Sequence, residues 1–247
     1  MAAPRSSQVR DATAIIRARH RGQVRRRVLR VVIPILVVLL VGVLVWVVWF
    51  SSVFQATSVH VEGNSQATTE EIVAAAQVPL GTPLARIDTE AIRTRVLQVP
   101  PVADATVTRS LTGVIHITVT ERVGVYVISV GSQYLVVDST GTGFLTVADV
   151  PEGLPVVSLT VDHTPESERL MADAATVVQA LPDSVRTQMT WIGAQTPDTF
   201  TIELASGAEI FWGSAEESDL KAQVIDGLLN VGARYYDVSS PSHPATR

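Results

Sequence analysis

The apolar and polar positions change period repeatedly along this chain. Over Val31–Phe50 there is no period at all. The run VVIPILVVLLVGVLVWVVWF holds no charge, no Asn, no Gln and no His, and sixteen of its twenty residues are Val, Ile, Leu or Phe. At ~1.5 Å rise per residue, twenty residues span ~30 Å as a helix, the hydrocarbon thickness of a bilayer. Pro34 falls in the first turn, where a missing N–H costs little. Trp46, Trp49 and Phe50 gather at one end as an interfacial aromatic belt. Nothing polar faces any side, so a membrane helix explains the run better than a buried core helix. It is also longer than the 7–15-residue apolar core of a cleaved signal peptide, which favours a retained anchor.

After the anchor the pattern alternates between periods of two and of 3.6. Thr57–Glu62 alternates, with Val59 and Val61 on one face, and predicts a strand. Thr68 and Glu71 form a capping box for a helix over Thr69–Gln77, with Ile72, Ala75 and Ala76 on its apolar face. Asp88 caps a second helix running to about Gln98, with Ile92, Val96 and Val99 inward. Two strands follow, Ala103–Ser110 and Val114–Arg122, joined by a tight Leu111-Thr112-Gly113 turn, with Ile115, Ile117 and Val119 inward. The order is strand, helix, helix, strand, strand, which places two helices on one face of a small sheet.

Further on, strands are predicted at Gly124–Ser129, Tyr134–Asp138, Gly143–Val147 and Pro155–Leu159. A helix follows over Pro165–Leu181, with Leu170, Ala174, Val177, Val178 and Leu181 as its buried stripe. More strands are predicted at Thr187–Ala194, Thr199–Leu204 and Ala208–Trp212. An amphipathic helix spans Glu216–Val231, with Leu220, Val224, Leu228 and Leu229 inward and Lys221 facing solvent. Tyr235-Tyr236-Asp237-Val238-Ser239 forms a last short strand, and Pro241 and Pro244 mark a tail.

Charge decides the sides. The first thirty residues carry nine Arg and one Asp, a net +8, whereas residues 51–247 carry ten basic and twenty-three acidic residues, a net −13. Lys and Arg beside a membrane helix stay in the cytoplasm. The basic segment is therefore cytoplasmic and the large acidic part extracytoplasmic. An acidic body argues against nucleic-acid binding there, and the basic tail suits anionic lipid or nucleic acid besides setting the topology. The 247 residues include no Cys, which excludes thiol chemistry and Cys-ligated metal. Lys221 is the only Lys, an Arg-for-Lys bias that suggests a high-GC bacterium.

Catalytic motifs are weak. Ser218-Asp219-Leu220-Lys221 matches S-x-x-K, yet the partner motifs S-D-N and K-T-G do not occur. Asp138-Ser139-Thr140-Gly141 reads as a turn between strands. His20, His60, His116, His163 and His243 show no pairing with carboxylates at metal-ligand spacing. We expect no catalytic residue, no cofactor and no metal.

Several stretches resemble one family. Val59-His60-Val61-Glu62-Gly63-Asn64 at the head of the strand–helix–helix–strand–strand unit resembles a POTRA domain. Gly81-Thr82-Pro83-Leu84, Pro101-Val102-Ala103-Asp104-Ala105, Val107-Thr108-Arg109 and Ile117-Thr118-Val119-Thr120-Glu121-Arg122 are similar to the FtsQ/DivIB cell-division proteins. So are Tyr134-Leu135-Val136-Val137-Asp138 followed by Gly141, Gly207 leading to Gly213, Lys221 with Leu228-Leu229, and Asp237-Val238-Ser239. The joint order and spacing carry the resemblance, which covers residues 31–247.

That resemblance implies an α+β chain with one N-terminal transmembrane helix, a POTRA domain (βααββ) and a mixed β domain with two helices. The expected boundaries are a cytoplasmic Arg-rich tail over 1–30, the membrane helix over 31–50, the POTRA domain over 54–123, the FtsQ-type β domain over 124–240 and a tail over 241–247. It implies a non-enzymatic scaffold of the bacterial divisome, single-pass in the cytoplasmic membrane and enriched at the septum. Its β domain binds FtsB-like and FtsL-like partners, and the assembly reaches the septal penicillin-binding protein and an FtsW-like protein. An edge strand can accept a partner strand. We place that edge at Tyr236–His243. The expected partner-binding residues are Lys221, Arg234, Tyr235, Tyr236, Asp237, Val238, Ser239, Ser240, Ser242 and His243, with pairing regular through Ser240. The alternative is a membrane-tethered extracytoplasmic receptor for a small molecule or cell-wall fragment.

Overall fold

The computed structural model describes residues 30–47, 49, 54–160, 162 and 164–247. The basic segment up to residue 29, Phe50 at the far end of the expected span and residues 51–53 lie outside that description. Helix α1, Arg30–Val47, is long and apolar enough to cross a membrane, and none of that span is buried within the protein.

Contacts divide the chain into two compact units, Met1–His60 with Gln77–Ala91 and Val107–His116, and Val61–Ala76 with Ile92–Thr106 and Ile117–Arg247. The expected strand–helix–helix–strand–strand order is present as β1 (Ser58–Glu62), α2 (Thr69–Ala76), α3 (Thr89–Val96), β2 (Val102–Arg109) and β3 (Val114–Glu121). The three strands form one sheet in the order β1-β3-β2. Both helix starts follow the predicted chemistry. Thr68 Oγ1 accepts from Glu71 N, and Glu71 Oε2 accepts from Thr68 N. Asp88 Oδ1 accepts from the amides of Glu90 and Ala91. Each cap satisfies backbone donors that the first turn leaves orphaned. Ile72, Ala76, Ile92, Val96, Ile115, Ile117 and Val119 are buried. A 3-10 turn at Leu84–Arg86 adds an element that the hydropathy pattern does not announce.

The rest of the second unit holds two further sheets. Strands β4 (Gly124–Val130), β5 (Gln133–Asp138) and β6 (Gly143–Val147) form an antiparallel meander. Its two faces serve different cores. Tyr126, Ile128 and Val137 join the main core, while Val127, Val136 and Phe144 form a small second one. This two-sided burial explains why Val125 through Ile128 read as a continuous apolar run rather than an alternation.

Strands β7 (Val157–Leu159), β8 (Met189–Ala194), β9 (Phe200–Leu204), β10 (Glu209–Gly213), β11 (Tyr235–Asp237) and β12 (Ala245–Thr246) make a six-stranded sheet in the order β12-β11-β10-β9-β8-β7. The β7–β8 and β10–β11 pairs are parallel and the others antiparallel. Helix α4 (Pro165–Ala180) is capped by Thr164, whose hydroxyl accepts from Ser167 N, and starts with Pro at N1. All five residues of its predicted stripe are buried in the main core. A short helix α5 (Asp183–Arg186) precedes β8, shortens the predicted Thr187–Ala194 strand and buries Val185. Helix α6 (Ser218–Leu228) continues into a 3-10 turn at Leu229–Val231.

Candidate functional site

The strand that the sequence singles out, β11, lies next to last in the six-stranded sheet, so the sheet's edge is built differently from the expectation. Strand β11 pairs in parallel with β10, setting Tyr235 opposite Glu209, Tyr236 opposite Ile210 and Asp237 opposite Phe211. Regular pairing stops at Asp237 instead of continuing through Ser240. The Asp237 carboxylate accepts from the Ser239 amide at 3.0 Å and its hydroxyl at 2.7 Å, an Asx turn that starts a reversal. His243 N then donates to Ser240 O at 3.0 Å. Pro241, buried, and Pro244 flank the bend, where they supply fixed φ and demand no donor site.

After the bend, Ala245–Thr246 returns antiparallel and covers β11, with Tyr236 opposite Thr246 and Asp237 opposite Ala245. The expected free edge over Tyr236–His243 is therefore corrected: residues the sequence assigns to a tail occupy it. Arg247 N donates to Tyr235 O, and Arg247 O accepts from the amides of Arg234 and Tyr235. Arg247 thus turns both backbone groups toward β11. Its neighbour Thr246 turns its own N–H and C=O to the opposite side, as successive strand residues must. The outermost rung of this sheet is Thr246.

Side chains along the edge divide by parity. Tyr236 and Val238 are 2% and 0% exposed and belong to the main core. The Tyr236 hydroxyl accepts from Ala233 N at 2.9 Å. These two residues can offer a partner no side-chain contact. Ser239, Ser240, Ser242 and His243 flank the bend, and Tyr235 and Asp237 are half-buried. The Arg247 guanidinium lies 5.4 Å from the Tyr235 ring centroid, a cation–π contact. Burial, with Asp237 and Glu209 nearby, pushes the Tyr235 phenol above its ordinary value.

Lys221 departs most from the sequence reading. It is 1% exposed, not solvent-facing, and its ammonium donates to Ser214 O at 2.8 Å. The buried stripe of α6 is Ser218, Lys221 and Ile225, whereas Leu220 is 44% exposed. Val224, Leu228 and Leu229 of the expected face do pack against the main core, half-buried, so the correction is confined to the first turn, where Ser218 and Lys221 take the inward positions and Leu220 turns out. The Trp212 indole N–H donates to Ser218 Oγ at 3.1 Å, and that hydroxyl donates to Ala215 O at 2.8 Å. Ser218 and Lys221 each serve a backbone carbonyl, which is structural work. Burial lowers the Lys221 pKa, against the opposing pull of Glu217, Glu216 and Asp198.

Asp138 is likewise structural. Its Oδ1 accepts from Thr140 N, Thr140 Oγ1 and Thr142 N, and its Oδ2 from Arg122 at 2.5 Å. His60 and His116 do meet, edge to face at 5.7 Å between centroids, a cross-strand pairing the sequence reading missed. Their spacing of fifty-six residues hides it, since only the β1–β3 pairing brings them together. Among the described residues no group of three or more His, Cys, Asp or Glu is placed to hold a metal.

Residues 54–122 match the model of the POTRA domain, FtsQ-type. The cell division protein FtsQ of Streptomyces venezuelae is 35% identical over 209 residues, covering 81% of this chain and 77% of that protein. This chain belongs to the FtsQ family of cell division proteins. The FtsQ of Streptomyces coelicolor is 30% identical over 213 residues, covering 81% of each chain. The FtsQ of Mycolicibacterium smegmatis is 32% identical over 201 residues, covering 81% of this chain and 60% of that protein. The FtsQ family is a non-catalytic family of cell division proteins.

Proposed function

We propose that this FtsQ-family chain is a divisome scaffold that docks FtsB-like and FtsL-like partners by strand addition at the β12 end of its six-stranded sheet. Through them it links early and late division proteins and helps control the septal penicillin-binding protein and its FtsW-like companion. The observation that carries the reading is the outward-facing backbone of Thr246, beside Arg234, Ser239, Ser240, Ser242 and His243. A partner strand would satisfy that backbone. Tyr235, Tyr236, Asp237 and Val238 support the docking strand from behind, and Lys221 positions β10's end through Ser214. The +8 of residues 1–30 supports a cytoplasmic N-terminal side and an extracytoplasmic body over 54–240, and membership of a cell-division family supports enrichment at the septum.

Co-purification from membranes tests the reading, using the full chain, Thr246→Pro and a truncation after Val238. Proline at 246 removes only an outward N–H, so β12 keeps its bonds to β11. Partners are expected with the full chain and lost with both variants. Equal recovery with all three would move the contact off this edge. Stronger binding by the truncation would mean that a partner strand replaces β12 rather than extends it.

A second reading, binding of a cell-wall glycan, is favoured by one observation. Trp191 is 39% exposed and its indole lies over Gly193, where a Cβ on that glycine would sit 2.5 Å from Cζ2. The ring floors a trough of about 420 Å³ rimmed by Ser158, Thr160, Gln195, Thr199 and Thr201. A flat aromatic beside hydroxyl and amide groups suits a neutral sugar. Muropeptide binding lost on Trp191→Ala, with division partners absent, would favour this reading.

A further inference from the structure

The polypeptide leaves the membrane helix and enters the folded domain almost at once. Trp49 and Phe54 are five Cα steps apart, at most ~18 Å even when fully extended. Trp49 belongs to the aromatic end of the helix, which sits at headgroup level, and the headgroup layer is itself roughly 5–7 Å deep. Whatever packs around residues 54–57 is therefore held near the lipid surface by a short tether.

Two loops pack there. Gln55 bridges Pro83, Ala56 N donates to Thr82 O at 3.0 Å, and Gly81 N donates to Ala56 O at 2.8 Å. On the other side Thr57 N donates to Gly113 O at 2.7 Å. Gly113 has φ +90°, and a Cβ on it would meet Gln55 O at 2.7 Å, so the β2–β3 turn is pressed onto the segment leading into β1. Each loop carries an unshielded leucine. Leu80 is 57% exposed, and Leu111, at 81%, is the most exposed large hydrophobic side chain among the described residues. Between them Phe54, Leu84, Ala85, Arg109, Ser110 and Leu111 line an apolar cleft of about 300 Å³. The only charge in that lining is the cation of Arg109.

We infer that this end of the POTRA domain rests on the bilayer that holds its own helix, with Leu80 and Leu111 entering the interface and Arg109 meeting lipid phosphate. Isolated exposed leucines need no explanation. Two on loops flanking a strand tethered to the membrane, around an apolar cleft with a basic lining, form a lipid-facing surface. The aliphatic side chains would be buried at the headgroup–acyl boundary, and the guanidinium would gain from anionic lipid. This contact would orient the domain against the membrane independently of partner docking.

The absence of cysteine makes the test direct. Leu80→Cys and Leu111→Cys, each labelled with the environment-sensitive fluorophore NBD, are placed as full chains in phosphatidylcholine nanodiscs with or without phosphatidylglycerol. Both labels are expected to shift to the blue and to lose intensity when the discs carry headgroup-proximal nitroxide lipid, more so with phosphatidylglycerol. Leu111→Asp is expected to reverse the quenching at position 80, and Arg109→Gln to remove the phosphatidylglycerol dependence. Water-like, unquenched emission from both labels overturns the inference. So does blue-shifted emission that appears only when division proteins are added, which would assign the cleft to a protein partner. Recovery of each variant with the discs separates these outcomes from failure of the helix to insert.

Discussion

At the scale of single residues, carboxylates hold this fold's loops. Glu121 Oε1 accepts from the consecutive amides of Ser65, Gln66 and Ala67, each at 2.9 Å. Burial pushes its pKa up, but those amides and the Ser65 hydroxyl outweigh it and draw the carboxyl down to about 2. A depressed carboxylate stabilises the folded state above its unfolded value of 4.5 and loses that contribution as pH falls toward about 2. The urea midpoint of the wild type is therefore expected to fall more steeply between these values than that of Glu121→Gln. Asp138 follows the same sign. Burial raises its pKa, the bonds from Thr140, Thr142 and Arg122 lower it further, and it ends below its ordinary value. The Arg122–Asp138 pair is little exposed, 19% and 6% at the side chains. Asp138→Ala is expected to cost roughly 2–3 kcal/mol in urea unfolding, with strong non-additivity against Arg122→Ala. Lys221→Met removes the donor to Ser214 O and is expected to cost roughly 1–3 kcal/mol in urea unfolding. The caps at Thr68, Glu71 and Asp88 are legible from sequence, since each bond spans two or three residues. The Glu121 cradle is not, because its partners lie fifty-four to fifty-six residues away.

At the scale of elements, strict periodicity is readable and local rotation is not. The α4 stripe can be read whole because five apolar residues at helical spacing leave one solution. On α6, Val224, Leu228 and Leu229 of the apolar stripe do pack on the core, but at the first turn the Trp212–Ser218 bond turns Ser218 and Lys221 inward and Leu220 out. Helix α5 leaves no mark in the pattern because one turn, Asp183–Arg186, is too short for a period to register. The β5–β6 turn carries a sharper constraint. Gly141 has φ +82°, and a Cβ there would lie 2.4 Å from Ala172 N on α4. Gly141→Ala must strain the turn and displace helix backbone, and is expected to cost roughly 2–4 kcal/mol by urea or thermal unfolding.

At the scale of the whole molecule, α1 sets the organisation. None of its described span is buried against protein, which fits a single-pass membrane anchor. Leu40→Arg places a charge near the middle of that run and is expected to cost insertion roughly 2.5–3.5 kcal/mol. Membrane fractionation checks it, with the variant appearing in the soluble or degraded pool. The proposed docking edge belongs to this scale too. A two-residue β12 contributes only a few backbone hydrogen bonds, each worth about 1 kcal/mol net. It can therefore be extended or exchanged without unfolding the sheet, and the Thr246→Pro and truncation experiment distinguishes the two.

The sequence alone determined the long apolar N-terminal helix, the strand–helix–helix–strand–strand unit, the caps and the family. Each of these rests on composition, on a short-range period or on the joint order of motifs. Tertiary structure decided what periodicity cannot see. It buried Lys221, turned Tyr236 and Val238 into core, and folded Ala245–Thr246 back over the strand expected to be free. The physical reason is the same in each case. A backbone donor or a buried cation must find a partner, and several partners lie within reach along the chain. Only the packed arrangement shows which of them is taken.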